Sequence, residues 1–244
     1  MNSRRTIAAS ILTGALLLTT ACSNSDTAGD EATNAPGESA ASESPATPVI
    51  PAQSILSAED APEGFTFDNV GAFIDEQAGA DSDGAYDVLN SINDGTVTEP
   101  AQCSWILPTA VSVLLRVKDH RDQTEAVEYS TESGDVVITS LLTTDDGPRA
   151  PENLSECATF TRTIDQTQGG PSVTYTARPL DITVNGADSV TAAEVSADAD
   201  ATDSGTLIAG VVDGAYFHVH ASGVVDPATV QQLAQAQVDK INQR

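Results

Sequence analysis

The chain has 244 residues, with 36 acidic side chains against 10 basic ones and a formal net charge of −26 at neutral pH. A polyanion of this kind is repelled by nucleic-acid phosphates and by anionic lipid head groups, so nucleic-acid binding is excluded as a function. Hydrophobic residues make up 40% of the chain, and the length beyond residue 54 suits one domain with a core.

In chain order, Arg4 and Arg5 form a basic start, and an apolar run from Ile7 to Leu18 follows, interrupted only by Ser10, Thr13 and Gly14. That run is shorter than the roughly 20 apolar residues a spanning helix needs. A basic flank, an apolar core and then small residues is the pattern of a removable export signal. The small residues end in Thr19-Thr20-Ala21-Cys22, which resembles the lipobox of bacterial lipoproteins. The lipobox prefers Leu three places before the cysteine, whereas Thr19 stands there and Leu18 lies one place earlier. The resemblance implies a signal peptide over 1–21 and lipidation of Cys22. It also implies a place on the extracytoplasmic face of the cell membrane, with the bilayer as partner through that lipid. Loss of residues 1–21 removes two of the 10 basic residues and no acid, leaving a net charge of −28.

Residues 23–53 are almost entirely Ser, Thr, Ala, Gly, Pro, Asn, Asp and Glu, with no aromatic residue. Such composition cannot bury enough surface to offset its ordering entropy, which predicts a disordered tether over 22–53. Its mean reach is about 30 Å. Residues 54–244 are then a single globular domain. With Cys22 committed to lipid, Cys103 and Cys157 remain, an even pair in an oxidising compartment, and a disulfide between them is expected. Two buried thiols or a metal pair are the alternatives, the metal disfavoured because neither cysteine has a His or second Cys nearby.

Leu56 to Pro62 reads as one helical turn with a Ser cap, and the acidic stretch after Gly64-Phe65 as irregular. Tyr86, Val88, Leu89 and Ile92 at helical spacing predict a helix over 85–92, and a strand is expected at 96–98. Residues 108–117 are apolar on both faces. They read as a buried helix with Pro108 at its first position, although Val111, Val113, Leu115 and Val117 also alternate as a strand would. Alternation then predicts strands at 125–131, 135–143, 158–164, 172–177, 188–196, 205–212 and 215–221, the last two joined by Asp213-Gly214. Asp226 and Pro227 cap and open a terminal helix with Val230, Leu233, Ala234, Val238 and Ile241 on one stripe, Gln231, Gln232 and Gln235 facing water. The fold class is α+β: a mostly antiparallel sheet flanked by helices, with the C-terminal amphipathic helix packed on it.

Several of these features occur together: a lipobox, a Ser/Thr-rich tether, a cysteine beside Trp105 and the run Cys157-Ala-Thr-Phe-Thr-Arg-Thr. Val184-Asn-Gly-Ala-Asp-Ser-Val-Thr-Ala, a DG hairpin and a terminal helix complete the set. The combination resembles small actinobacterial cell-envelope lipoproteins. More distantly, residues 54–244 resemble the extracellular sensor domain of PknH-type Ser/Thr protein kinases. The resemblance implies an antiparallel sheet flanked by helices and enclosing a cleft for a ligand. Those kinase domains carry two disulfides, whereas only one is possible here.

Catalytic signatures are missing: no G-x-S-x-G, S-x-x-K, H-E-x-x-H or phosphate-cradling loop occurs. Asp198, Asp200 and Asp203 fail the calcium-loop template, with Asp203 where Gly is needed and Ala209 where Glu is needed. His218 and His220 are weak metal candidates, since residues two apart on a strand share a face. The competing reading makes that face solvated, with Phe217 and Val219 packed inward, and a third ligand beyond His120 cannot be named. No cofactor is expected. The functional expectation is a non-catalytic ligand-binding or sensor-like module of the envelope, its partner a small ligand or an envelope protein. A structural or assembly lipoprotein contacting another envelope protein is the alternative, with a hydrolase less favoured.

Overall fold

Nine strands form one sheet, antiparallel at every pairing: β1 (Phe65–Asn69), β2 (Val97–Glu99), β3 (Thr124–Thr131), β4 (Val137–Thr143), β5 (Thr159–Thr163), β6 (Ser172–Pro179), β7 (Ser189–Ala197), β8 (Gly205–Val212) and β9 (Ala215–Ser222). This is a computed structural model, and it describes residues 49–77, 83–164, 170–198 and 204–243. The expected signal peptide, Cys22 and most of the expected tether lie outside those residues, as do Asp200 and Asp203. Spatial order is β1-β3-β4-β9-β8-β7-β6-β5-β2. The β8–β9 hairpin turns where Asp213-Gly214 predicts it, with φ of 49° and 76° at the two positions. Both are in the left-handed region that a tight I′ connection requires.

Five α-helices are described: α1 (Pro51–Ser54), α2 (Val70–Gln77), α3 (Asp83–Gly95), α4 (Ala110–Asp119) and α5 (Pro227–Asn242). α4 settles the ambiguous apolar run as a helix. Its cap is Thr109, whose side chain accepts from the Ser112 N–H at 3.0 Å, so Pro108 precedes the cap instead of opening the helix. The stretch after Gly64 is not irregular. Phe65 and Phe67 alternate with Thr66 and Asp68 along β1, which pairs with β3 at one edge of the sheet.

The register divides the sheet into two faces. Tyr129, Ile138, Ile208, Phe217 and Val219 share one face with the stripe of α5, where Val230, Leu233, Ala234, Val238 and Ile241 are all buried. Gln237 falls on the same stripe and is fully buried. Its amide donates to the Ser54 carbonyl at 2.7 Å and accepts from the Leu56 N–H and the Ser140 hydroxyl, each at 3.3 Å. The Tyr129 hydroxyl donates to the Ser57 carbonyl at 2.8 Å, so residues 51–57 are stitched to the sheet and to α5. Folded structure therefore begins before the expected boundary after Gln53: α1 is a helical turn with Pro51 and Ser54 buried, and Val49 packs on the core. Gln235 also departs from its expected solvent role. Its amide accepts from the Asn185 N–H at 2.8 Å and donates to the Asn185 carbonyl at 3.0 Å.

Ala126, Leu141, His218 and Ala209 lie in register on the opposite face, with Thr139, His220 and Leu207 in the adjacent row. α2 and α4 pack there through Val70, Ile74, Val113 and Val117. The 3-10 turn Ala101–Trp105 and Ile106-Leu107 pack beside them. Cys103 and Cys157, both fully buried, are joined by a disulfide with Cα atoms 5.6 Å apart, which ties this turn to the entrance of β5.

Candidate functional site

The second face concentrates the buried polar groups of the domain. His218 and His220 project from β9 into it, and their rings are centred 6.2 Å apart. The expectation that this face is solvated fails. His218 is 1% exposed and His220 6%, while Phe217 and Val219 are buried on the other side. β9 lies sixth from the β2 edge and fourth from the β1 edge, with a layer on each face, so alternation on it separates two interiors.

His218 is tied down. Its Nε2 lies 3.1 Å from the Trp105 carbonyl, and a carbonyl can only accept, so the proton sits on Nε2. Burial, reinforced by the Arg116 charge, lowers its pKa to about 4 against the pull of that hydrogen bond. His220 is lowered to about 3 by burial, with His218 and Arg162 adding to the effect. Both rings are therefore neutral at physiological pH. The Nε2 of His220 has no hydrogen-bond partner.

Two buried arginines flank the histidines, and the sequence reading singled out neither. Arg116 interrupts the apolar run of α4, and Arg162 shares the inward side of β5 with Phe160. Arg116 stacks its guanidinium over Trp105, 4.9 Å from the ring centre. It donates to the Pro148 carbonyl at 2.7 Å and pairs with Asp145. Burial alone would raise Asp145, but the Gly147 N–H at 2.7 Å, Arg116 and the Thr124 and Thr143 hydroxyls outweigh it and hold the carboxylate below its usual range. Arg162 donates to the Leu107 and Ser104 carbonyls and to the Thr98 hydroxyl. This holds the turn that the disulfide closes. The arginines thus act mainly as internal ties.

Among the clefts on this face, two flank the first turn of α4 beside the buried polar groups. The first, about 460 Å³, runs between that turn and β4, β9 and β6. Leu107, Val113 and Tyr175 form apolar walls, and Thr139, Arg162 and His220 form its polar floor. Glu128 stands at its side, its carboxyl raised by burial and by Asp68 against a hydrogen bond from Thr139. The second, about 470 Å³, lies between α3, α4 and residues 147–148 and is lined mainly by amides, hydroxyls and carboxylates. Thr109 and Arg162 border both.

No group of three or more His, Cys, Asp or Glu side chains able to hold a metal occurs among the described residues. His120 is half-exposed and lies with its Nδ1 3.7 Å from Asp145. The two histidines are thus brought together with Trp105, Arg116 and Arg162, and His120 is not.

No family model matches the chain, and no curated protein does. Solved structures similar to it include two mycobacterial proteins. The extracellular domain of PknH from Mycobacterium tuberculosis is 12% identical over 61% of this chain and 78% of that one, with a TM-score of 0.43. A protein of Mycobacterium smegmatis described as an Rv0999 ortholog is 14% identical over 61% and 77%, with a TM-score of 0.34. The chain is thus distantly similar to the extracellular domain of PknH, and its function has to be read from its own site.

Proposed function

We propose that this chain is a lipoprotein held at the extracytoplasmic face of the membrane through Cys22, and that its folded domain is a non-catalytic ligand-binding module. One observation carries the binding reading: His220, buried and neutral, forms part of the floor of a partly apolar cleft, and its Nε2 has no partner. Leaving a buried polar atom unpaired costs about 1–3 kcal/mol, and such atoms mark places where a further group belongs. Apolar walls with a few convergent polar groups, in a volume within the usual ~300–1,000 Å³, are the ordinary build of a small-molecule site. The preferred ligand has an apolar body and an uncharged hydrogen-bonding head. Burial keeps His220 neutral, so the floor offers an anion no charge at that ring, while the Glu128 carboxyl at the side disfavours an anionic head. His218 is already occupied by the Trp105 carbonyl and both cysteines of the domain are bridged, which favours binding over nucleophilic chemistry.

Native mass spectrometry of protein purified from its own host tests this. A bound mass is expected on the wild type and not on His220→Leu, which keeps the ring's apolar bulk and deletes its nitrogens. Equal occupancy of both proteins would show that His220 plays no part. An assembly role is favoured at one place. Phe67, Val70, Phe73 and Leu114 line a groove of about 590 Å³ beside the edge strand β1, and Phe73 is 50% exposed. Loss of association with an envelope protein in Phe73→Ser, with small-molecule binding intact, would move the function there.

A further inference from the structure

The second cleft calls for a different ligand. α3 ends at its mouth, placing Asn90 and Asn93 three residues apart and therefore on one side of the helix, with Asp94 and Thr96 following; all four line the cleft. Asp119 and His120, at the end of α4, close the opposite rim. Within it lie Ser112, Thr98 and Trp105, and on the floor Arg116, 6% exposed, whose Nε has no hydrogen-bond partner. The side chains of Asn90 and Asn93 form no hydrogen bond to other described residues, which leaves their amides available.

The donor and acceptor pattern selects the ligand class. Amides and hydroxyls present both donors and acceptors, and carboxylates accept from pairs of hydroxyls; Asp94 offers both its oxygens, and Asp119, whose Oδ1 takes the Lys118 ammonium at 3.4 Å, its other one. The charges of Arg116 and Arg162 are committed to Asp145 and to backbone carbonyls, so no free cation stands ready for an anionic head group. The two rim carboxylates repel one as well. The Thr96, Thr98 and Ser112 hydroxyls already bond within the protein, but a hydrocarbon ligand would strand the amides of Asn90 and Asn93 and the Asp94 carboxylate, at a cost for every unpaired group. What remains is a neutral molecule dense in hydroxyls, and the volume of about 470 Å³ is within the range of small-molecule sites. We propose that this cleft binds a neutral saccharide, independently of the ligand in the His220 cleft.

The chain holds a single tryptophan, and it is Trp105 in this cleft, so intrinsic fluorescence reports occupancy directly. The full-length protein would be titrated with maltose, cellobiose and chitobiose into the tens of millimolar, with spermidine and glucose 6-phosphate as charged counter-probes. At least one neutral disaccharide is expected to give a saturable change, and the phosphorylated sugar none. The Asn90→Ala, Asn93→Ala double variant should weaken that binding about tenfold, the worth of one to two hydrogen bonds. Asn90 is exposed and Asn93 half-buried, and neither side chain bonds another described residue, so the fold should survive, and an unchanged thermal midpoint would verify it. His220→Leu should bind the sugar as the wild type does, which separates this site from the other cleft. A response to spermidine alone would make the cleft a cation-attracting acidic patch and overturn the proposal. No response to any of the three sugars, or binding untouched by the double variant, would overturn it equally.

Discussion

The histidine pair makes the stability of this domain depend on pH in a defined window. In the unfolded chain both imidazoles titrate near 6.5, whereas in the folded domain they lie at about 4 for His218 and about 3 for His220. Folded values below unfolded ones mean that the unfolded chain takes up the protons first. The stability held by neutral rings is therefore fully present above 6.5 and is lost as the pH falls towards 4 and 3. Between about pH 7.5 and about pH 5 each ring accounts for about 2 kcal/mol, about 4 kcal/mol for the pair. The groups facing the rings reinforce this: protonation would add charge beside Arg116 and Arg162, both already buried. Other groups move the total curve. Asp60 and Asp145, held below their usual range, lose stability only below about pH 4, whereas Glu128, raised, changes in the opposite sense. Loss of net negative charge also relieves self-repulsion. The informative quantity is therefore the difference between the wild type and the His218→Gln, His220→Leu double variant, each unfolded in urea at several pH values with Trp105 fluorescence as the probe. The wild type should lose about 4 kcal/mol more than the variant over this window. Curves that stay parallel to within about 0.5 kcal/mol would mean that the histidines are hydrated or already paired, and the site as described would be wrong.

Leu233, 4% exposed at the centre of the α5 stripe, should cost about 2–5 kcal/mol as Leu233→Ala in chemical unfolding. Gln235→Ala should cost about 1 kcal/mol instead of nothing, because it clamps both backbone groups of Asn185 and because such bonds contribute about 0.5–1.5 kcal/mol each. Gln237→Leu should be the more damaging glutamine change, at about 2–4 kcal/mol, since it strands the Ser54 carbonyl and the Leu56 N–H in the core. Reduction of the Cys103–Cys157 bridge, which spans 54 residues, should lower stability by about 4 kcal/mol by the loop-entropy relation, read as a shift of the urea midpoint in reductant. Cys22→Ser should move the protein out of the membrane fraction or leave it unprocessed, and unchanged fractionation and mass would sink the anchoring.

Much of the sheet was legible because its strands are short, alternate cleanly and are separated by turn residues. The seven strands after Thr124 follow the hydrophobic period, and Asp213-Gly214 marks its hairpin at the residue level. Edges were harder. β1 is a half-exposed edge strand, so its two phenylalanines alternate with Thr and Asp in a stretch too polar to stand out. The tether boundary failed for a related reason. Pro51 to Ser54 has the composition of a linker, and its order comes from a partner far along the chain: Gln237, itself held by Ser140, reaches the Ser54 carbonyl across 183 residues. Gln237 itself was hidden by its chemistry. It occupies the position of the 3.6-residue stripe between Ala234 and Ile241, and an amide there reads as a lapse in the pattern until its three partners are known.

The site was the least legible part, for a reason that the two faces of β9 make plain. Tyr216, His218 and His220 alternate with Phe217 and Val219, a pattern that ordinarily separates solvent from core. Here a second layer, built from residues 101–119 and locked by the disulfide, covers the polar side, and nothing within residues 215–222 announces it. The announcement lies elsewhere. Arg162 shares a strand face with Phe160, and Arg116 stands alone in an apolar helix; a charge in such a place must be solvated or buried with partners. Both prove buried, and each reaches the carbonyls of segments that cover the histidines: Leu107 and Ser104 for Arg162, Pro148 for Arg116. An arginine donates in several fixed directions and can satisfy loop carbonyls that no strand pairs. The arginines are therefore the reason the covering layer can be irregular backbone and still be buried. That irregular layer leaves the two clefts open beside α4, where a further helix packed on this face would have filled them.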